Sequence, residues 1–490
     1  MRLPLNVLLG VTAAVLISAG DAAAFYSNGR WASTASSSPT AAVGFPVTLT
    51  WSLVPDGTPL SSGGVSNLVA FLDGRFNYAG GGSDLTLRPW FGQVSQSFTR
   101  WTDLSGLTFA FEATDDGATH GNFAGALGIR GDVRLAGKFI DGVGGTNAMT
   151  GFIPSADLTV DTGDSPYFGA SANNYRAMRN TLMHEIGHSF GLGHVDSNSA
   201  AFLMEGFSNN SFDGPQLDDI RGIQWLYGDK YERLAGAGGN GSIAQATPLG
   251  IIADGATLTL GADAATGTLV LENETNFVSI ANSNDVDYFA FTVTEPSSVD
   301  LTLTPRGASY NERIGGTNNS YTTTNAAQAS NLSLELYGLV NGVATLLASA
   351  ATQPIGVAEL LTDIELPTAA DYFVRVAGDS SNLQFYELAI GVAHTPVVTL
   401  PGDFDLDGDV DGADFLVWQS GFGSSYDADD LAIWREHFGA TSPITTAVAT
   451  VPEPIGALLM TAAFAGLGLT GRLRSAAGRR WLNGNPASFS

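Results

Sequence analysis

The chain of 490 residues lacks cysteine and is poor in basic residues and histidine. Without cysteine it forms no disulfides and offers no thiolate ligand to a metal, so its stability comes from hydrophobic cores and bound ions. Lysine and arginine number 21 against 48 acidic residues, which leaves a net charge of −27. That charge argues against nucleic acid or an anionic membrane surface as a partner.

Charged residues make up only 14% of the chain, whereas glycine is abundant at 60 residues. This balance is typical of β-rich domains with many turns. The length predicts about three domains. The chain is therefore expected to be a multidomain protein with much β-structure.

Three of the six histidines lie in one short run that reads HExxHxxGxxH. His184 and His188 are four residues apart, so a helix places both imidazoles on one face. Gly191 permits a turn with positive φ that brings His194 back as a third ligand. Three protein nitrogens plus a water form an open, catalytic-type zinc site. The alternative, satisfied histidines on a core helix, does not explain the additional glycine and third histidine in a histidine-poor chain.

The pattern around this motif predicts one α+β unit over residues 45–231. Period-two alternation predicts strands, and apolar residues at steps of three and four predict helices. The predicted strands cover residues 47–51, 107–111 and 131–135; the predicted helices cover residues 87–101, 174–190 and 215–227.

The motif and its surroundings resemble the metzincin clan of zinc proteases and, within it, the matrixins, over roughly residues 46–230. Met204, ten residues after His194, fits the methionine turn beneath the metal, although any buried methionine fills gaps well. The segments 87–111, 131–135 and 217–228 resemble matrixin elements in the expected order. The resemblance implies a secreted zinc metalloendopeptidase acting on extracellular proteins. Glu185 would be the general base that takes a proton from a zinc-activated water.

Three departures limit what the matrixin resemblance implies. Val195 stands where matrixins usually have serine, and the segment 141–164 has no histidine for a second zinc, so one zinc is predicted. Asp161 and Asp164, with Asp141 as a weaker third, match a matrixin calcium pair in spacing; the alternative is solvated loop carboxylates. Because cysteine is absent, the cysteine switch of matrixin propeptides is excluded.

Residues 243–394 alternate with period two between turn residues, which predicts an all-β sandwich. Residues 284–291 (NDVDYFAF) and 366–376 (LPTAADYFVRV) resemble the bacterial pre-peptidase C-terminal domain, which accompanies secreted proteases. The glycine-rich segment 236–242 before it is predicted to be a flexible linker.

Residues 402–440 predict a small helical calcium module. Its loop reads DFDLDGDVDGAD, and six aspartates occupy the ligand positions of an EF-hand-type loop: Asp403, Asp405, Asp407, Asp409, Asp411 and Asp414. Aspartate at the last position resembles dockerin modules, whose family partners are cohesins. The second half of the module lacks the calcium pattern, so a self-contained calcium-stabilised spacer is the alternative.

Both ends of the chain resemble targeting signals. Residues 1–24 read as a secretory signal peptide with an Ala-x-Ala cleavage site. Residues 451–480 resemble the bacterial PEP-CTERM sorting signal: a Pro-Glu-Pro, an apolar stretch and arginines. This implies transient membrane anchoring and delivery to the surface of a bacterium or release from it; a plain C-terminal anchor is the alternative.

Two other functions compete with the peptidase. One is a non-enzymatic surface adhesin or scaffold with a vestigial peptidase domain, against which the intact Glu185 argues. The other is a zinc amidase acting on cell-wall peptides. The expected partners are protein or peptide substrates for the peptidase and cell-wall peptides for the amidase.

Overall fold

The computed structural model describes residues 25–39, 42–264, 266–394 and 400–441. The chain divides into two compact units, and the division falls between residues 396 and 397. The predicted signal peptide and sorting segment lie outside the described residues. Within the part that the structure describes, no helix combines the length and apolar character needed to cross a membrane.

The first part of unit 1 is an α+β domain, as predicted. Its elements are β1 (Val47–Leu53), α1 (Leu68–Arg75), α2 (Phe91–Leu104), β2 (Leu107–Phe111), β3 (Val133–Lys138), β4 (Ala148–Thr150), β5 (Leu158–Asp161), α3 (Ser165–Phe168), α4 (Arg176–Ser189), β6 (Val195–Ser197), α5 (Leu217–Tyr227) and α6 (Lys230–Ala235). The sheet has the order β2-β1-β3-β5-β4. Its first four strands are parallel, and β4 runs antiparallel at the edge.

Helices α2 and α4 pack together, and their apolar faces join the core beside the sheet. The buried stripe of α4 follows the predicted spacing: Met178, Leu182, Ile186 and Phe190. Each such side chain contributes about 1.5–3 kcal/mol when fully buried. Trp101 on α2 donates its indole N–H to the Met183 carbonyl at 3.0 Å. The core thus holds the helix that carries the first two motif histidines.

Helix α2 begins at Phe91, four residues later than the sequence pattern predicts. A 3₁₀ turn at Leu85–Leu87 precedes it, and Arg88 is extended. Arg88 stands before Pro89, whose ring disfavours helical backbone at the preceding residue. The apolar periodicity therefore continues across a segment that is not helical.

The second part of unit 1 is a β-sandwich, as predicted. Its strands are β7 (Thr247–Ile251), β8 (Thr257–Leu260), β9 (Ser279–Ile280), β10 (Val286–Val293), β11 (Ser297–Arg306), β12 (Ser309–Ile314), β13 (Thr322–Asn325), β14 (Leu332–Val340), β15 (Val343–Ala350), β16 (Glu359–Leu366), β17 (Ala370–Gly378) and β18 (Gln384–His394). One sheet has the order β15-β14-β17-β10-β7 and the other β16-β11-β18-β8, with β9 beside β18. Their alternating apolar residues meet in a single core.

The prediction of a flexible linker at 236–242 is wrong. Asn240 within it is 1% exposed, and its carbonyl accepts the Tyr288 N–H at 3.0 Å. The two parts of unit 1 also share a hydrophobic cluster, in which Leu217 and Ile220 of α5 belong with Tyr310 of β12. Glycine content indicated mobility, but these contacts between residues distant in sequence hold the segment in place.

The sandwich also contributes a strand to the α+β domain. Strand β12 pairs antiparallel with β6 on one side and with β13 on the other. Beside this sheet, Arg221 donates to the Tyr310 hydroxyl at 2.7 Å, and that hydroxyl donates to Asp218 at 2.6 Å. All three side chains are buried. A buried polar network of this kind requires the two parts to keep one relative position.

The described part of unit 2, residues 400–441, contains two short helices, α7 (Gly412–Gly421) and α8 (Ala428–His437). Asp411 and Asp427 cap their N-termini with capping boxes. The Phe415 and Trp434 rings lie 5.2 Å apart. Trp434 donates to the Asp411 carbonyl at 2.7 Å, so aromatic side chains link the two halves.

Candidate metal centre and active-site cleft

The three motif histidines converge on one point. His194 Nε2 lies 3.2 Å from His184 Nε2 and 3.0 Å from His188 Nε2. Tetrahedral zinc with Zn–N bonds of about 2.0–2.1 Å requires ligand nitrogens about 3.3 Å apart. Gly191 has a φ of +114°, the left-handed turn that returns the chain toward the helix. The donor set and its spacing therefore fit one zinc ion.

Hydrogen bonds hold the imidazoles of α4 in one orientation. His184 Nδ1 lies 2.7 Å from the Leu203 carbonyl, and His188 Nδ1 lies 2.8 Å from the Leu192 carbonyl. A carbonyl only accepts, so Nδ1 carries the proton in each ring and the Nε2 lone pair is left for a metal. Burial lowers the pKa of His184 and of His188 to about 4, which favours the neutral form that binds metals.

Glu185 faces the cleft without joining the three ligands. Its carboxylate accepts the Thr150 hydroxyl at 2.8 Å, and the residue is 7% exposed. Burial raises the pKa of Glu185, and His188 and Thr150 oppose that effect. A carboxylate that gains a proton more readily than usual suits general-base chemistry followed by proton return.

Met204 is buried directly beneath the histidine helix. A Cβ on Gly187 would lie 2.5 Å from Met204 Sδ, so this contact requires glycine on α4. Asp219 of α5 holds the turn by accepting the Leu203 N–H at 2.8 Å and the Met204 N–H at 2.9 Å. Sequence reasoning missed Asp219; its only signal was an acidic residue on the first turn of an amphipathic helix.

The N-terminal segment braces the loop that precedes His194. Asn28 N–H donates to the Gly191 carbonyl, and Gly193 N–H donates to the Tyr26 carbonyl, both at 2.7 Å. Trp31 donates its indole N–H to the Ser189 carbonyl at 2.9 Å. No local pattern in the sequence indicated this role, because the pairing joins residues more than 150 positions apart.

The β12–β13 hairpin of the sandwich supports His194 from the other side. Gly315 N–H donates to the His194 carbonyl at 2.8 Å. A Cβ on Gly315 would lie 2.6 Å from His194 Cβ, so glycine permits this approach. Arg313 pairs with Asp196 at 3.2 Å, two residues further along each strand. Sequence reasoning missed this contribution as well.

A cleft of about 440 Å³ borders His188 and His194. Its lining combines four parts of the chain: Tyr26 and Asn28; Ala148, Met149, Thr150 and Phe152; Glu185, His188, Gly193 and His194; and Gly315. Strand β4, which pairs only with β5 in the described sheet, forms one wall. Its free backbone edge thus borders the metal centre.

Backbone N–H groups donate hydrogen bonds to the Asp161 carboxylate. It accepts N–H groups of Ile140, Gly142 and Gly163 at 2.6–2.8 Å. Among the described residues, no group of three or more metal-ligand side chains includes Asp161, Asp164 or Asp141. Calcium at Asp161 and Asp164 stays a prediction.

The predicted calcium loop of unit 2 brings its aspartates together in two overlapping groups. Ligand atoms of Asp403, Asp405 and Asp414 lie within 4.8 Å of one another, as do those of Asp409, Asp411 and Asp414. Gly408 has a φ of +94° at the turn. The carboxylate of Asp414 accepts three backbone N–H groups, among them that of Asp411 at 2.8 Å.

Comparison with known proteins identifies the class of the α+β domain. Residues 83–228 match the family model described as matrixin. The domain with the three histidines is therefore a matrixin-type domain, which supports a metzincin-like zinc protease, as the sequence resemblance implies.

Two curated proteins are similar over part of the chain. Metallopeptidase AprA of Pseudomonas marginalis is 27% identical over 177 residues, which cover 29% of this chain and 35% of that protein. Metalloendoproteinase 2-MMP of Arabidopsis thaliana is 29% identical over 143 residues, which cover 27% of this chain and 36% of that protein. The chain thus spans about a third of the length of these relatives.

Among solved structures, the pre-peptidase C-terminal domain of a collagenase from Bacillus anthracis aligns with 30% of this chain and 95% of its own. The identity is 12% and the TM-score is 0.18.

Proposed function

We propose that the protein is a zinc-dependent metalloendopeptidase that hydrolyses peptide bonds of extracellular proteins. The observation that carries the proposal is the convergence of His184, His188 and His194 on one point, with the Glu185 carboxylate beside it. The matrixin match and the metallopeptidase relatives support it.

His184, His188 and His194 would hold the zinc, which supplies a Lewis acid that activates a water and polarises the scissile carbonyl. Glu185 takes the proton of the attacking water. It then returns that proton to the nitrogen of the leaving amine, which completes hydrolysis without a covalent intermediate. Thr150 holds the Glu185 carboxylate in position by its 2.8 Å hydrogen bond.

The free edge of β4 supports an extended polypeptide as substrate. An extended chain adds to a sheet edge through backbone hydrogen bonds, which are available in any peptide sequence. A chain seated along Ala148–Thr150 would pass Glu185, because Thr150 contacts it directly. This arrangement favours protein substrates over small molecules and over a zinc amidase confined to short cell-wall peptides.

Export through residues 1–24 and transient anchoring through residues 451–480 place the proposed activity at a bacterial cell surface or outside the cell. The acidic loop of unit 2 would bind one calcium ion through the two groups of aspartates. The loop before α8 lacks the acidic pattern, and this argues against a cohesin-like partner for that unit.

A casein zymogram of the wild type against Glu185→Ala tests the peptidase. Removal of a general base reduces the rate by about 10²–10⁴-fold, so clearing should disappear while zinc, measured by atomic absorption, stays at one per chain. Glu272→Gln, an exposed acid on the same unit, is the matched control and should clear normally. Equal clearing by wild type and Glu185→Ala would overturn the proposed role of Glu185, and the absence of clearing in both would favour the adhesin or scaffold. The cleavage products of a peptide library, identified by mass spectrometry, distinguish an endopeptidase from a zinc amidase that acts on cell-wall peptides.

A further inference from the structure

A second cluster of carboxylates lies far along the chain from the histidines, at the junction between the α+β domain and the sandwich. Ligand atoms of Glu232, Asp285 and Asp287 lie within 4.8 Å of one another. Glu232 belongs to α6, whereas Asp287 lies in β10 and Asp285 directly before it. Glu232 is 2% exposed and Asp287 is fully buried.

Their negative charge has no basic counterpart, because no ion pair among the described residues includes any of the three. In each carboxylate, one oxygen accepts a hydrogen bond from the protein. Glu232 Oε2 accepts the Asp229 N–H, Asp285 Oδ2 accepts the Ala281 N–H, and Asp287 Oδ2 accepts the Tyr386 hydroxyl. Glu232 Oε1 and Asp287 Oδ1 are buried without a hydrogen-bond partner. Burial and the neighbouring carboxylates raise the pKa of Glu232 and of Asp287 well above their usual values.

Asn240 is an independent indication of a ligand. Its side chain is 1% exposed, and its Oδ1 has no hydrogen-bond partner. It lies against Asp287 and lines, together with Glu232 and Asp285, a cavity of about 280 Å³. A buried amide oxygen is costly to leave unpaired, but it is a good ligand for a hard cation.

We propose that Glu232, Asn240, Asp285 and Asp287 bind a divalent cation of calcium size, which joins the α+β domain to the sandwich. Calcium takes six to eight oxygens at about 2.3–2.6 Å, so oxygens on opposite sides lie about 5 Å apart, which the spacing of the three carboxylates meets. The cation neutralises the buried carboxylates, and the cavity leaves room for waters to complete the coordination.

Calcium binding to the full-length protein tests this site. Every sample carries Asp403→Ala, which removes the first ligand of the unit 2 loop, and Asp164→Asn, which removes one carboxylate of the predicted Asp161 and Asp164 pair, so that neither adds calcium of its own. Protein freed of calcium is melted with and without CaCl₂ while zinc is kept saturating. At about 100-fold above Kd, calcium should raise the Tm of the parent by about 5–10 °C. Isothermal titration should show the corresponding binding event.

Glu232→Gln should remove both the Tm shift and the binding event, while Glu365→Gln, an exposed acid of the same sandwich, should leave both unchanged. Without calcium, Glu232→Gln should melt above the parent, because it removes one repelling charge. Asp287→Asn provides the same test if the first variant folds poorly. Equal calcium shifts in parent and both variants, or no shift in the parent, would mean that these carboxylates simply hold protons. Neither readout depends on peptidase activity.

Discussion

At the residue scale, single buried polar groups decide the geometry of the metal centre. The His184 imidazole is oriented by the Leu203 carbonyl, and the Leu203 and Met204 N–H groups are in turn held by Asp219. Asp219 therefore affects the metal centre by positioning the Leu203–Met204 turn, which orients His184, and is not itself a ligand. Burial raises its pKa to about 6, and the backbone donors oppose this shift.

Asp219→Ala should weaken both stability and zinc binding. The substitution leaves the buried N–H groups of Leu203, Met204 and Gln216 without an acceptor, which costs on the order of 3 kcal/mol in the free energy of unfolding. A loosened orienting partner lowers metal affinity about 10–100-fold. Urea denaturation and chelator competition measure the two effects. Asp84→Ala, which removes an exposed cap, should leave zinc affinity unchanged; an unchanged affinity in Asp219→Ala would refute the positioning role.

At the element scale, the β12–β13 hairpin belongs to the sandwich by sequence and to the active site by position. Its pairing with β6 continues directly from the third histidine, and the Gly315–His194 hydrogen bond closes the end of that pairing. Because backbone hydrogen bonds join the hairpin to β6 and to His194, a shift of the hairpin also moves His194.

Gly315→Ala should therefore reduce kcat/KM for a peptide substrate by about tenfold or more. The new Cβ meets His194 at 2.6 Å, so either the ligand or the hairpin moves, and displacements of about 1 Å near reacting groups cost up to about 10²-fold. Initial rates at saturating zinc measure the effect. Gly267→Ala, where a Cβ meets no atom within 4 Å, is the control in the same sandwich. Wild-type rates in Gly315→Ala would show that the hairpin is not needed for catalysis.

At the scale of the whole molecule, the α+β domain and the sandwich are one folded unit. A shared hydrophobic cluster and a buried polar network join α5 to β12. Glu312 lies at the edge of this network, where Thr324 donates to it. Besides burial, the charge of Glu312 raises the pKa of Asp218 and of Tyr310. Desolvation raises the pKa of Glu312 from 4.5 to about 7, and the charge of Arg221 opposes this shift.

This shift predicts that the junction loses stability as pH rises. A carboxyl group with a raised pKa takes up a proton on folding between pH 4.5 and about 7, so its contribution is present at lower pH and is lost as pH rises through 7. Glu312→Gln should therefore show a smaller fall in Tm between pH 5 and pH 8 than wild type, at fixed zinc and calcium. Glu365→Gln should follow wild type. Parallel curves of Tm against pH for wild type and Glu312→Gln would show that a group other than Glu312 causes the pH dependence.

The sequence alone was sufficient for features whose information is local. The spacing of the histidines, the apolar stripe of α4 and the alternation of the sandwich strands follow from periods of 3.6 and 2 residues. The start of α2 was misplaced because apolar periodicity does not register the restriction that Pro89 places on Arg88.

Only the tertiary structure decided which distant residues complete the site and join the domains. The contacts of Tyr26 with Gly193, of Asp219 with the methionine turn and of Gly315 with His194 each cross a long stretch of chain. The carboxylates of Glu232 and Asp287 likewise have no common pattern in sequence. Local periodicity encodes which face of an element is buried, but the partner of that face depends on how all the elements pack together. For the same reason, a glycine-rich segment that local composition marks as a linker is held in place.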